Sequence, residues 1–347
     1  MKTDHQYYLK IIALGILLVL GVYVVSTVLG TTNKENFVTV KGKDLYLNNE
    51  QFRSMGVNRY NLLTRNTPNG ETIGCASPFS EEELDSTFSN LQSMGITSVR
   101  FWLFQSFTKS GEDLERFNFL LATAEKYNIK LIPVFENNWQ DCTEGNIKSP
   151  SWYRSEYKSP YGTYPLSLKE YISKVVPLYK DNPTILAWEI MNEANSKDYQ
   201  ALYAFAEDVS AHVKSLDANH LVTVGVSGTR ESAEDYKKLS TIRTIDILDY
   251  HDYDAETNPM PDTLANALSV SQESNKPLVV GESGIKKSFG ERTSLFENKI
   301  NAFFENGGAI YMIWSYGDTS ITDDGFNFTT SDPVARVVRE KAEALQK

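Results

Sequence analysis

From residue 53 onward, short apolar runs alternate with amphipathic stretches eight times, and that alternation leaves the chain few architectures. The runs are 53–59, 98–104, 130–135, 185–191, 221–226, 247–251, 278–281 and 309–315. Apolar runs this short, bounded by turn residues, read as buried strands. The stretches between them carry helix-end signals. Ser80-Glu81-Glu82-Glu83 predicts a capping box, in which Ser80 accepts from a free amide and Glu83 reaches back. Leu84, Phe88 and Leu91 then share one helical face. Ser167-Leu168-Lys169-Glu170 repeats the box ahead of Tyr171, Ile172, Val175 and Val176. Gly307-Gly308 stops the helix holding Phe303 and Phe304, and Asp332-Pro333 opens the last one. Strands alternating with helices pair in parallel through right-handed crossovers, in a closed barrel or in a doubly wound sheet. No Gly-rich dinucleotide fingerprint follows the first run, which disfavours the open sheet. The expected fold class is therefore α/β, a (β/α)8 TIM barrel. Residues 37–52 alternate apolar and polar about Lys41-Gly42-Lys43, which predicts an N-terminal β-hairpin before the first barrel strand.

The start of the chain reads differently. From Ile11 through Gly30 there is no charged residue. As a helix this run would be about 30 Å long, the thickness of a bilayer core. Its length favours an uncleaved anchor over a signal peptide, although Val28-Leu29-Gly30 offers a weak cleavage site. The expected organisation is a tip and hydrophobic segment over residues 1–35, then one catalytic domain over 36–347. The domain would lie outside the cell, held to the membrane through Ile11 to Gly30, or secreted if the segment is cleaved. No linker divides the region after residue 35, and the chain is expected to act as a monomer.

Charge narrows the partners. The net charge is −11 with no basic cluster, so a phosphate backbone would be repelled and nucleic acid is not an expected partner. Neither Cys75 nor Cys142 sits in a CxxC or Cys/His pattern, so no structural zinc is expected. The two would follow the first and third strands, where a disulfide could brace two loops; two free thiols remain the alternative. With four histidines, His5 among them lying before the hydrophobic run, no metal cofactor is expected either.

In a barrel of this kind the chemistry sits at the C-terminal strand ends. The fourth strand runs straight into Asn192-Glu193, and the seventh delivers Glu282 ahead of Ser283-Gly284. Two carboxylates across a barrel mouth suit glycosidic bond cleavage. One protonates the departing oxygen while the other attacks the anomeric carbon. Arg100 on the second strand, His251 and Tyr253 on the sixth and Trp314 on the eighth are the other polar or aromatic strand-end residues. A cation and a phenol beside one carboxylate favour its ionised form. Glu189 lies within its strand and reads as an interior carboxylate paired with an arginine; Glu136 would line a subsite or accept loop hydrogen bonds, the second being favoured. Trp102, Trp139 and Trp152 are candidate sugar platforms or ordinary packing, and Trp188 reads as core.

This ordered set resembles glycoside hydrolase family 5, the cellulase and mannanase family of clan A, from about residue 37 to the C-terminus. The matching residues are Arg100, Asn192-Glu193, His251, Tyr253, Glu282 within Gly281-Glu282-Ser283-Gly284, and Trp314. The resemblance implies a retaining hydrolase of β-linked polysaccharide or oligosaccharide that needs no cofactor. Glu193 would be the acid/base and Glu282 the nucleophile. Asn192 would bond the sugar 2-hydroxyl, Arg100 and Tyr253 would hold Glu282 ionised, His251 would shape the cleavage point, and Trp314 would carry the sugar. Asn137-Asn138-Trp139 after the third strand is similar to a segment of the family's mannanases, which tilts the expectation toward an endo-β-1,4-mannanase. The family's usual proline after the Asn-Glu pair is Ala194 here, which leaves the subfamily open. A β-1,4-glucanase or an exo-β-glycosidase is the alternative within the family. A carbohydrate-binding barrel without activity is the alternative of another class, but such a barrel has no use for both glutamates.

Overall fold

The structure is a computed structural model and describes residues 36–78, 80–143, 147–226, 233–254, 258–317 and 325–346. The hydrophobic run from Ile11 to Gly30, with the division before residue 36, lies outside the described residues. Among the described residues no helix is long and apolar enough to cross a membrane.

Eight parallel strands form the centre: β1 Ser54–Asn58, β2 Ser98–Trp102, β3 Lys130–Val134, β4 Ala187–Glu189, β5 Leu221–Thr223, β6 Leu248–Asp252, β7 Leu278–Ser283 and β8 Ile310–Ile313. Their order is β5-β4-β3-β2-β1-β8-β7-β6. The seam between β5 and β6 closes through N–H groups of Asp246 and His251, which donate to the oxygens of Val222 and Val226 at 2.9 and 3.2 Å. The expected (β/α)8 TIM barrel is the observed fold. A long helix packs after each strand: α1 Glu81–Ser93, α2 Glu115–Lys126, α3 Leu168–Tyr179, α4 Tyr199–Leu216, α5 Ala233–Ser240, α6 Asp262–Ser274, α7 Arg292–Glu305 and α8 Pro333–Leu345, with short extra helices at Gln105–Thr108 and Pro150–Arg154 in the connections after β2 and β3.

Local sequence explains the helix ends. Both predicted capping boxes form, at Ser80/Glu83 and Ser167/Glu170, and Asp332 caps α8 by accepting from the Val334 amide. Leu84, Phe88 and Leu91 are the buried face of α1. Each such side chain stabilises the fold by about 2 kcal/mol through its removal from water. The N-terminal hairpin pairs Thr39–Lys41 with Asp44–Leu47 across a turn in which Gly42 takes φ +65°. A third short strand, Glu50–Gln51, extends it. Val38 and Leu45 from this hairpin region pack against Ile132, Leu186, Val279, Ile310 and Met312. The hairpin thus plugs the N-terminal end of the barrel with apolar side chains.

Several strands end short of the apolar runs, as Leu221–Thr223 does within 221–226, and two boundary differences bear on the site. The fourth strand spans only Ala187–Glu189, because its pairing on either side thins to single bridges at Ile185 and Asn192. The seventh runs on to Ser283, so Glu282 lies within the strand instead of just past it.

Cys75, after β1, and Cys142, after β3, form a disulfide across 67 positions, with Cα atoms 5.5 Å apart. This resolves the question of two free thiols. Closing a loop of that length removes chain entropy from the unfolded state, which contributes about 4 kcal/mol. The double variant Cys75→Ser/Cys142→Ser should therefore unfold several degrees lower in a thermal melt. An unchanged melting temperature would show that the bridge adds nothing to the fold.

Candidate active site

The upper half of the barrel interior is polar. Arg100 points inward from β2, with its side chain 1% exposed. Its Nε and one terminal nitrogen grip both oxygens of Glu189 at 2.7 and 2.6 Å. That nitrogen also donates to Asn192 Oδ1 at 2.6 Å. The other terminal nitrogen donates to Glu282 Oε1 at 2.7 Å and to Asn58 Oδ1 at 3.0 Å. Asn58 in turn donates to the Gly281 oxygen at 2.7 Å. One guanidinium therefore binds residues from β1, β4 and β7. Burial works against its charge, but Glu189 and Glu282 outweigh that and hold its pKa above the ordinary arginine value.

Two glycines make room for this layer. A Cβ on Gly225 would stand 2.4 Å from Glu189 Oε1, and one on Gly281 would stand 2.2 Å from Asp249 Oδ2. Neither separation is possible for real atoms, so the interior carboxylates require glycine at both positions.

Glu282 is held at both oxygens. Arg100 takes Oε1, and the Tyr253 hydroxyl donates to Oε2 at 2.6 Å. Burial and the nearby Glu282 charge push the Tyr253 phenol well above its usual range, so it stays protonated and donating. Glu193 is held differently. It leaves β4 with φ +46°, a left-handed conformation unusual for a non-glycine residue. The Ala194 amide fixes the turn by donating to the Gly225 oxygen at 2.8 Å. The Glu193 side chain keeps 13% exposure, against 5% for Glu282. Its Oε2 accepts from the indole N–H of Trp139, and its Oε1 lies 3.1 Å from His251 Nδ1.

His251 sits between the carboxylates. Its Nδ1 is 3.6 Å from Glu282 Oε2, and its Nε2 is 3.2 Å from Asp249 Oδ1. Burial opposes a charge on this ring, but Glu282, Asp249 and Glu193 overcome it and raise its pKa well above 6.5. One ligand atom each from Glu193, His251 and Glu282 lies within 4.8 Å of the others. Such a trio could hold a cation in principle. Here the imidazole favours its proton and Arg100 already brings a positive charge to Glu282, so a second cation is disfavoured.

Of the nine site candidates, Arg100, Trp102, His251 and Glu282 lie within β2, β6 and β7, and Asn192, Glu193, Tyr253, Trp314 and Trp139 lie in the segments that follow β4, β6, β8 and β3. Arg100, Asn192, Glu193, His251, Tyr253, Glu282 and Trp139 join in one hydrogen-bonded group. Trp139 takes part as a donor to Glu193, not only as a ring. Trp314 is half-buried and stacks on Tyr60 at 5.7 Å with an interplanar angle of 13°. Trp102 is only 5% exposed and is wedged against Tyr60, Phe104 and Trp314, so it backs the Trp314 ring and does not present a free face. Trp152, also considered as a platform, is buried among Tyr153, Tyr157, Tyr161 and Phe205. Glu189 is the expected interior partner of an arginine. The sequence reading assigns no role to Asn58 or Asp249. A polar residue ending an apolar strand, as in Met55-Gly56-Val57-Asn58, was the available signal.

The raised pKa of His251 carries a pH signature. Its stabilising contribution is complete below about pH 6.5, the ordinary histidine value, and is lost as pH rises through the higher folded value. The gap in melting temperature between the native protein and His251→Asn should narrow as pH climbs through that folded value. A gap that widens with pH would mean the ring is neutral in the folded state.

Comparison with known proteins agrees with this geometry. Residues 60–320 match the family model described as cellulase, glycosyl hydrolase family 5. The chain is 26% identical to the probable mannan endo-1,4-beta-mannosidase F of Neosartorya fischeri, over 85% of this chain and 71% of that one. It is 25% identical to the solved endo-beta-1,4-mannanase of Thermotoga petrophila, with a TM-score of 0.70 over 86% of this chain and 78% of that one. The endo-1,4-beta-mannanase structure from Rhizomucor miehei shares the fold at a TM-score of 0.71 and 24% identity, over 89% of this chain and 99% of that one. With three quarters of its length matched to the family model and two facing glutamates at the ends of β4 and β7, the chain belongs to glycosyl hydrolase family 5.

Proposed function

We propose that the protein cleaves β-1,4-linked mannan within the chain, with retention of configuration, using Glu193 as acid/base and Glu282 as nucleophile. The observation that carries this reading is the closeness of two carboxylates with unlike neighbours. An oxygen of Glu193 and one of Glu282 lie within 4.8 Å. Retaining enzymes hold their carboxyl groups about 5–5.5 Å apart, whereas inverting ones leave about 6.5–9.5 Å for a water.

The chemistry follows from the holding groups. Glu282 attacks the anomeric carbon, and the glycosidic C–O bond breaks as Glu193 passes its proton to the departing oxygen. A glycosyl ester on Glu282 results. Glu193, now a carboxylate, takes a proton from water, whose oxygen attacks the same carbon and frees Glu282. Arg100 and Tyr253 aim the attacking group and receive its charge back in the second step. Trp139 and His251 keep Glu193 beside the leaving oxygen in both steps. Asn192, between Arg100 and Asn137, bonds the sugar 2-hydroxyl, and Trp314 offers its face to the sugar ring.

The preference for mannan is supported by the named activities of the similar proteins, together with Asn137-Asn138-Trp139 placed beside Glu193. Export of the domain, anchored or secreted, is supported by the uncharged run from Ile11 to Gly30 and by the Cys75–Cys142 bridge, a bond that persists in oxidising compartments.

A reducing-end assay on mannan, glucomannan, cellulose and β-1,3-glucan tests the substrate. New ends should appear fastest on mannan or glucomannan, with mixed product lengths from the start. Faster release from cellulose, or mannose as sole early product, would contradict the proposal. Glu282→Ala should abolish hydrolysis, with azide restoring turnover by taking the place of the lost nucleophile. Glu193→Ala should lose about 10²–10⁴-fold on mannan and far less on activated aryl glycosides. Full hydrolysis by Glu282→Ala would remove the nucleophile assignment.

A further inference from the structure

A buried charge pair lies behind the acid/base. Glu136, two residues past β3, is fully buried, and the Lys148 ammonium lies 3.3 Å from its Oε1 with 3% side-chain exposure. Lys148 also sits over the rings of Trp152 and Tyr161, at 5.5 and 5.3 Å. The Tyr161 hydroxyl donates to Glu136 Oε2, and the Asn137 amide donates to Oε1 at 2.8 Å. The Glu136 carbonyl accepts from the Asn192 amide at 2.7 Å, one residue before Glu193.

From this pair a short relay reaches the reacting group. Asn137, pinned by Glu136, presents Oδ1 to two donors: Asn192 Nδ2 at 2.9 Å and the Trp139 amide at 3.2 Å. The Trp139 indole then donates to Glu193 Oε2. Lys148 closes the loop from the other side, its amide donating to the Asn138 oxygen at 2.9 Å. Apolar side chains could fill the same volume without the desolvation that two buried charges require. What the charges add is direction, since each bond fixes where the chain turns as it leaves β3.

We infer that Glu136 and Lys148 are positioning residues whose ion pair sets the Trp139–Glu193 hydrogen bond, and with it the delivery of the proton to the leaving oxygen. This rests on Glu193 being the acid/base. Without Lys148, Glu136 loses the cation 3.3 Å from its Oε1 while keeping the Tyr161 and Asn137 donors, so its carboxylate shifts and loosens Asn137 and therefore Trp139.

The test compares kcat/KM on a poor leaving group, mannohexaose, with that on an activated one, dinitrophenyl β-mannobioside, whose departure needs no proton. Lys148→Met should lose about 10–100-fold on mannohexaose, the scale of a misplaced catalytic group, and less than about 3-fold on the aryl glycoside. Lys148→Arg should recover most of the loss. If Lys148→Met does not fold, Trp139→Phe breaks the same relay at its far end and must show the same split. Equal losses on both substrates, or no loss on either, would overturn the inference. Glu193→Ala run alongside separates the two ideas. A split in Glu193→Ala without one in Lys148→Met or Trp139→Phe rejects the pair alone, whereas no split in Glu193→Ala rejects the acid role beneath it.

Discussion

The site hangs on the guanidinium of Arg100. It is a fully buried cation whose three nitrogens all donate, to Glu189, Asn192, Asn58 and Glu282. Removing one member of a buried ion pair costs about 3–5 kcal/mol, because the remaining charge has no water to turn to. Here the loss would strand two carboxylates at once. The glycines at 225 and 281 exist to clear space for this layer, and Asn58 carries it across to β1 and the backbone of β7. Below, the barrel is filled by apolar side chains and plugged by the hairpin; above, it is filled by this network. The division places the Arg100 network at the C-terminal ends of the strands, above the apolar core.

The two glutamates differ in how they are held, and the difference matches the work proposed for them. Glu282 stands inside a strand with a donor on each oxygen, fixed as an attacking group must be. Glu193 stands just past its strand in a left-handed turn, more exposed, with side-chain partners from a loop tryptophan and a histidine. Each glutamate also has a lysine–acid pair outside the interior network. Lys148 with Glu136 lies behind Glu193. Lys299 on α7 reaches both oxygens of Asp252 at 2.9 Å, one residue before the Tyr253 that holds Glu282.

Much of this was legible in the sequence because it rests on local chemistry. Eight apolar runs, two Ser-x-x-Glu boxes, the Gly307-Gly308 stop and the Asp332-Pro333 start are short-range signals, and each marks an element that forms, although strand boundaries shift. Glutamates at the exits of the fourth and seventh runs were legible because strand ends are where a barrel places polar groups. What escaped depends on contacts between distant residues. Nothing local distinguishes Trp139, which reaches Glu193, from Trp152, which packs among tyrosines and a phenylalanine, or from Trp102, which lies behind Trp314. Glu136 read as an acceptor for its own loop, and so it is, but its lysine lies beyond the next turn and gave no sign of the pairing. The disulfide was open for the same reason: Cys75 and Cys142 become neighbours only after β1 and β3 are placed two strands apart.

The central claim, that Glu193 and Glu282 act on one anomeric carbon, is tested most directly by trapping the covalent intermediate. A 2-deoxy-2-fluoro mannoside with an activated leaving group should inactivate the enzyme, and peptide mapping by mass spectrometry should find one added sugar on the fragment containing Glu282. A sugar attached to any other carboxylate, or turnover with no adduct and an inverted product, would contradict it.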